Sequence, residues 1–158
     1  MPLGWRVCQN MDTIENTIDL ASAIETALQQ TKYNQLKPFF HAINSKKVSE
    51  SSKLEIVKTL SLSLTRALID LGHRAKPLDE YELLIETLLE IIEQDFQVLT
   101  LDEIKLACKL GSYGIYGDVF GVNTVQVLKW LRAFENDPCR DRALFELTKI
   151  LFGTNIQH

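Results

Sequence analysis

The chain has 158 residues and a formal net charge of −4, and its composition is 46% hydrophobic and 24% charged. These values predict a single soluble domain over residues 1–158, and the mild acidity argues against a protein that coats nucleic acid by bulk charge. The 7 glycines and 4 prolines are too few turn formers for a many-stranded sandwich or barrel. We therefore expect an all-α fold.

Helix starts recur along the chain as a side-chain oxygen followed three residues later by Glu or Gln. In this pattern the first side chain accepts from an orphan backbone N–H, and the second reaches back to the capping residue. The occurrences are Asp12 with Glu15, Ser52 with Glu55, Asp79 with Glu82, Thr100 with Glu103, and Asn123 with Gln126. Together they predict a helical bundle of about six or seven helices.

The first part of that bundle, residues 13–98, follows an N-terminal arm of residues 1–12. Its first helix is predicted over residues 13–30. Pro38 interrupts the next apolar segment, so a short helix is expected to begin near Lys37. The polar residues 45–52, SKKVSESS, predict a mobile loop.

Two long helices come next. The first, residues 53–71, is predicted to end at Gly72 in a left-handed conformation. Its apolar face fits a homodimer as well as an intramolecular core, and comprises Leu54, Val57, Leu60, Leu64, Leu68 and Leu71. The second, residues 80–96, is apolar around much of its circumference, which indicates a central position. Its acidic ridge, which we interpret as a solvated face rather than a docking site, comprises Glu82, Glu86, Glu90 and Glu93.

Residues 99–153 differ in composition from the preceding bundle. A glycine-rich stretch at 111–121 lies between helices predicted at 100–110 and 124–134. Asp137 and Pro138 indicate the N-cap and first residue of a last helix that stops at Gly153.

Residues 116–134 have the spacing of a helix-turn-helix, in which a second helix leaves a short turn to lie in the major groove. Gly117 supplies a small residue where the helices would cross, and Gly121 supplies a residue tolerant of positive φ. Asn123 is the expected N-cap of the second helix, and Trp130 is one of its bulky inward residues. We predict a helix-turn-helix-like element here.

The outward side of this element could contact DNA or another protein. The candidate residues are Thr124, Val125, Gln126, Leu128, Lys129, Arg132, Arg140 and Arg142. Val125 and Leu128 form an apolar strip that suits a partner helix. Arg and Lys side chains suit phosphates, and Gln126 could hydrogen-bond a base. A third interpretation is that the glycines simply allow tight helix packing.

The same segment carries a resemblance. Residues 99–134 resemble the C-terminal signature of a family of small helical proteins encoded on phages and mobile elements. That signature reads L-T-x-x-E-I-x-x-A, then Y-G-x-x-F-G-L-N, then W-L-x-x-Y; Val122 and Phe134 depart from it mildly. The resemblance implies a context in DNA replication modules, with helicase loading or replisome organisation as the role and a helicase or initiator as the partner.

Residues for catalysis or metal binding are not evident. The histidines, His41, His73 and His158, include no i, i+4 pair, and no cysteine lies at ligand spacing, so no metal or cofactor is expected. Cys139, beside Arg140 at a helix N-terminus, is predicted to favour the thiolate. The odd number of cysteines and the lack of a signal peptide or membrane span predict a cytoplasmic protein without a membrane partner.

Our first hypothesis is a non-enzymatic DNA-replication accessory of a phage or mobile element that contacts another replisome protein. The alternative is a direct DNA-binding module, in which residues 124–134 enter a groove. The third hypothesis is a small helical scaffold.

Overall fold

The computed structural model describes residues 19–153, and these are α-helical with two short 3₁₀ helices, as the composition predicts. The 3₁₀ helices are Thr31–Leu36 and Val48–Glu50. The α-helices are α1 (Leu20–Leu28), α2 (Lys37–Ile43), α3 (Lys53–Asp70), α4 (Leu78–Asp95), α5 (Leu101–Ser112), α6 (Thr124–Glu135) and α7 (Pro138–Phe152). Across residues 19–153, each helix is too short or too polar to cross a bilayer.

The chain divides into two compact units. Among the described residues, the terminal unit comprises residues 19–44 and 136–153, and the central unit comprises Ser45–Glu135. The predicted segments 13–98 and 99–153 therefore each contribute residues to both units.

In the terminal unit, α1 begins at Leu20 because Asp19 acts as its N-cap. The Asp19 backbone is extended (ψ 168°), and its carboxylate accepts a hydrogen bond from the Ser22 N–H at 2.7 Å. This bond lowers the pKa of Asp19. The predicted helix is thus not continuous over residues 13–30, and residues 13–18 and the predicted cap at Asp12 lie outside the described residues.

The core of the terminal unit is built around Phe40 of α2, a helix that begins at Lys37 as predicted. Phe40 is fully buried, and its ring meets the Tyr33 ring edge-on with centroids 5.7 Å apart. The Tyr33 hydroxyl donates to the Glu146 carboxylate of α7 at 2.6 Å. Burial, and then this bond and the Glu146 charge, raise the pKa of Tyr33 to about 12.

Helix α7 has the predicted ends. The Asp137 carboxylate accepts from the Cys139 N–H at 2.8 Å, Pro138 is the first helical residue, and Gly153 ends the helix with φ +61°.

In the central unit, α3 has the predicted start and end, and Leu60, Leu64 and Leu68 of its predicted apolar face are buried as expected. Val57 and Leu71 are only half-buried. Ser52 and Glu55 form a complete capping box, and Gly72 follows the helix with φ +69°. Ile56 lies inward with Leu60, one turn later, whereas Leu54 is 62% exposed. The reason is that six helical residues separate Leu54 from Leu60, which turns the two side chains about 120° apart.

Helix α4 begins two residues earlier than predicted. Pro77 occupies the capping position, so Asp79 lies inside the first turn, where its carboxylate accepts only from the Glu80 N–H. The predicted cap at Asp79 is therefore wrong. The buried face of the helix comprises Leu84, Ile85, Leu88 and Ile92. Glu82, Glu86 and Glu90 of the acidic ridge are exposed, and Glu93 is half-buried.

The prediction of a mobile loop at residues 45–52 is wrong, because this segment is bonded to the start of α5. Lys47 and Thr100 form an antiparallel bridge. The Val48 N–H donates to the Leu99 carbonyl, and the Leu101 N–H donates to the Lys46 carbonyl, each at 2.9 Å. Val48 is buried, so one apolar side chain anchors an otherwise polar sequence.

Candidate functional site

The C-terminal half of the central unit rests on α5, whose first turn is fixed by a buried capping box. The Thr100 hydroxyl accepts from the Glu103 N–H, and the Glu103 carboxylate accepts from the Thr100 N–H. Ile104 and Cys108 then point into the core. The sequence predicted this cap correctly.

Gly111 of α5 lies directly against Trp130 of α6. A Cβ placed on Gly111 would lie 2.2–2.5 Å from three atoms of the Trp130 indole, far inside van der Waals contact. Trp130 is fully buried. Gly111, and not Gly117 as we expected, is therefore the small residue at the helix crossing. The Trp130 indole occupies the space that a side chain at Gly111 would need.

The connection between these helices does not have the form of the predicted helix-turn-helix. Residues 113–123 contain no helix, whereas that motif needs a helix and a turn of three or four residues. Left-handed backbone occurs at Gly114 (φ +80°) and Gly117 (φ +111°), not at Gly121. The expectation for Gly121 is wrong, since the backbone reverses directly after α5 instead.

Helix α6 begins as predicted, with the Asn123 side chain accepting from the Gln126 N–H at 2.9 Å. Val127, Trp130 and Leu131 form its buried face. Gln126 joins that face, with only 8% of its surface exposed. Within the described residues, neither the Gln126 amide nitrogen nor the Trp130 indole nitrogen has a hydrogen-bond partner. Gln126 therefore cannot present its amide to a base edge in this conformation.

The solvent-facing side of this region carries four large apolar side chains, which we call the apolar surface: Tyr113, Ile115, Phe120 and Val125. Phe120 is 87% exposed and Val125 is 78% exposed. A Cβ at Gly117 would lie 3.2 Å from the Lys129 Nζ, so the connection and the outward side of α6 adjoin. Of the other predicted outward residues, Thr124 and Leu128 are half-buried, and Lys129 and Arg132 are exposed.

The remaining predicted contacts lie in the terminal unit. On α7, Arg140 is half-buried and Arg142 is exposed. The candidate residues are thus divided between the two units.

The sequence alone did not mark Tyr113, Ile115 and Phe120 as candidate binding residues. Their spacing in the sequence does not follow the period of a helix, so they do not belong to an amphipathic helical face. One signal for their exposure was available in the sequence. The three large apolar side chains lie in a glycine-rich stretch whose other residues are too polar to form a core segment.

Metal-ligating side chains do not cluster in residues 19–153: no group of three or more His, Cys, Asp or Glu is close enough to hold an ion. Cys108 is fully buried, which raises the pKa of its thiol to about 12. Partial burial also raises the pKa of Cys139, and the Asp137 carboxylate raises it further against the opposing charge of Arg142. The predicted thiolate character of Cys139 is therefore wrong.

Thiol reactivity should follow these pKa values. In a Cys8→Ser background, we expect Cys139 to react with an alkylating reagent more slowly than a free thiol at neutral pH. Its rate should rise as the pH passes above the ordinary thiol range near ~8.5, because only the thiolate reacts. Cys108 should react only when the central unit unfolds. Mass spectrometry of labelled peptides measures both rates, and fast labelling of Cys139 at pH 7 would contradict the assignment.

Comparison of the chain with protein-family models, with curated proteins and with solved structures finds no match.

Proposed function

We propose that this chain is a non-enzymatic accessory that acts by binding another protein through the apolar surface. The observation that carries the proposal is the exposure of Tyr113, Ile115, Phe120 and Val125, four large apolar side chains that fall within one short segment of the chain. Large apolar side chains concentrated in one exposed segment favour an interaction site, because covering them releases their hydration water.

The chemistry of this surface favours a protein over DNA as the direct partner. A DNA reader needs side-chain donors and acceptors that reach base edges, and Gln126 is buried. Lys129 and Arg132 could contact phosphates, but Asp118 in the adjoining connection carries the opposite charge. A patch of aromatic and aliphatic side chains with cations beside it has the composition of a protein interface.

The resemblance of residues 99–134 to the phage and mobile-element family supports a more specific role. We propose that the bound protein belongs to a DNA replication module, with a helicase or an initiator as the partner. Direct DNA binding through Lys129 and Arg132 is the alternative.

The test is a binding titration of the purified chain with the helicase and with the initiator of the same replication module. Phe120→Ser combined with Val125→Ser should weaken binding about 100-fold, since buried aromatic anchors dominate interface energies. The matched control is Leu83→Ser with Val98→Ser, which removes two exposed apolar side chains elsewhere in the central unit and should leave affinity unchanged.

Two results would overturn the proposal. One is equal binding by the double variant and the control. The other is absence of protein binding together with salt-sensitive binding of labelled DNA that Lys129→Glu and Arg132→Glu abolish, which would establish the DNA reader instead.

A further inference from the structure

Away from the apolar surface, α3 exposes a stripe that alternates apolar and basic side chains. Lys58, Leu62 and Ile69 recur at spacings of four and seven residues and therefore share one face of the helix, and Arg66 borders it. All four are exposed, and Ile69 is 71% exposed. We call these residues the basic stripe.

Helix α4 exposes the complementary pattern. Leu78, Glu82, Glu86 and Glu93 recur at spacings of four and seven residues, so they too share one face. The first three are exposed and Glu93 is half-buried. We call these residues the acidic stripe.

One groove of about 280 Å³ lies at the end of the two stripes, where α3 leads into α4, and is lined by residues that include Ile69 and Lys76. Leu78 lines its α4 side. The Tyr81 hydroxyl donates to the Ser61 carbonyl at 2.9 Å. This bond sets the relative height of the antiparallel helices.

Lys58 precedes Ser61 by three residues, and Glu86 follows Tyr81 by five. Because α3 and α4 run in opposite directions and each advances 1.5 Å per residue, Lys58 and Glu86 lie at about the same height along the helix axes. By the same count Arg66 lies about 9 Å from Glu82 along the helix axis, an offset of six residues.

The charges of both stripes lack ion-pair partners within residues 19–153. The carboxylate next to the basic stripe, Glu55, is already held by Lys46 at 3.0 Å. Glu82 and Glu86 are spaced i, i+4 on α4, and like charges at that spacing repel. Each stripe therefore carries charged side chains of one sign that form no ion pair within the described part of the chain, and exposed apolar side chains lie beside them.

We propose that the occupant of this face is a second copy of the chain. In a two-fold pair with the symmetry axis parallel to the helices, the basic stripe of one copy faces the acidic stripe of the other, and the reverse contact occurs at the same time. Positions along the helix axis are preserved by this symmetry, so Lys58 meets the partner's Glu86. Arg66 reaches toward the partner's Glu82 only by extending along the helix axis. Leu62, Ile69 and Leu78 supply the apolar contact between the paired charges, and α3 lies antiparallel to α4 of the partner.

Reciprocal charge reversal tests this arrangement by sedimentation equilibrium. The basic-stripe variant is Lys58→Glu with Arg66→Glu, and the acidic-stripe variant is Glu82→Lys with Glu86→Lys. Each alone should raise the Kd of the homodimer at least about tenfold, because like charges then face each other in both contacts. An equimolar mixture of the two variants should form a heterodimer of near wild-type affinity, since each altered stripe then meets an altered partner.

The control for altered net charge is Lys53→Glu with Lys109→Glu, both exposed lysines of the central unit outside the basic stripe. It should leave the Kd unchanged. Circular dichroism checks that each variant keeps its helical content.

Three outcomes would overturn the proposal. A wild-type chain that stays monomeric at all concentrations has no such pair. A dimer that tolerates the basic-stripe variant uses another face. A mixture of the two variants that remains monomeric lacks the reciprocal contact, and binding of a separate acidic amphipathic helix by that monomer would assign the groove to an external partner.

Discussion

Gly111→Ala should destabilise the central unit by about 3 kcal/mol, because overpacking a tight core contact costs that much or more. The added methyl group would meet the Trp130 ring at 2.2–2.5 Å, so α5 and α6 must separate or the indole must leave its place. The gain in helix propensity from glycine to alanine, about 1 kcal/mol, does not offset this. The melting temperature should fall by roughly 10 °C.

The measurement uses Trp130 fluorescence in a Trp5→Phe background, which leaves Trp130 as the single tryptophan. Emission should shift to longer wavelength as the indole meets water. Gly121→Ala is the matched control, since a Cβ there meets nothing within 4 Å and the backbone is not left-handed. Equal effects of the two substitutions would show that the Gly111 contact does not hold α5 and α6 together.

Phe40→Ala should destabilise the terminal unit by about 4 kcal/mol, the usual cost of removing a fully buried phenylalanine side chain. Phe40 has no exposed surface, and its loss leaves a cavity beside the Tyr33 ring. The lost edge-on ring contact adds to the lost burial. The hydrogen bond from Tyr33 to Glu146 should weaken as well, because it depends on the position of that ring.

Urea denaturation followed by circular dichroism measures the change in unfolding free energy. Phe145→Ala is the control in the same unit, since Phe145 is exposed on α7 and its truncation should cost less than about 1 kcal/mol. A Phe40→Ala variant as stable as this control would contradict the assignment of Phe40 to the core.

Much of the helical framework could be predicted from the sequence because its signals are local. The capping boxes at Ser52 and Thr100 and the caps at Asn123 and Asp137 are each set by a few neighbouring residues, and the structure confirms all four. The signal for the end of α3 is also local, because it depends only on the ability of Gly72 to adopt a left-handed conformation.

The errors arose where a partner distant in sequence decides the structure. Residues 45–52 read as a loop because their hydrogen-bond partners lie near Leu99. Gly111 was not marked out by its neighbours; its role depends on Trp130, which reaches it from another helix. The sequence suggests Gln126 as a possible contact because its amide could hydrogen-bond a base, yet the packing of α6 on α5 buries it.

The bridge between Lys47 and Thr100 also constrains the order in which the central unit folds. The two residues are 53 positions apart in the chain, whereas α3 and α4 are joined by residues 71–77 alone. Closing the longer loop costs more chain entropy than closing the shorter one, so the α3–α4 hairpin forms first. Helix α5, whose first residue follows Thr100, then docks against α3. Substitutions in the hairpin should therefore slow folding, and substitutions at the bridge should mainly speed unfolding.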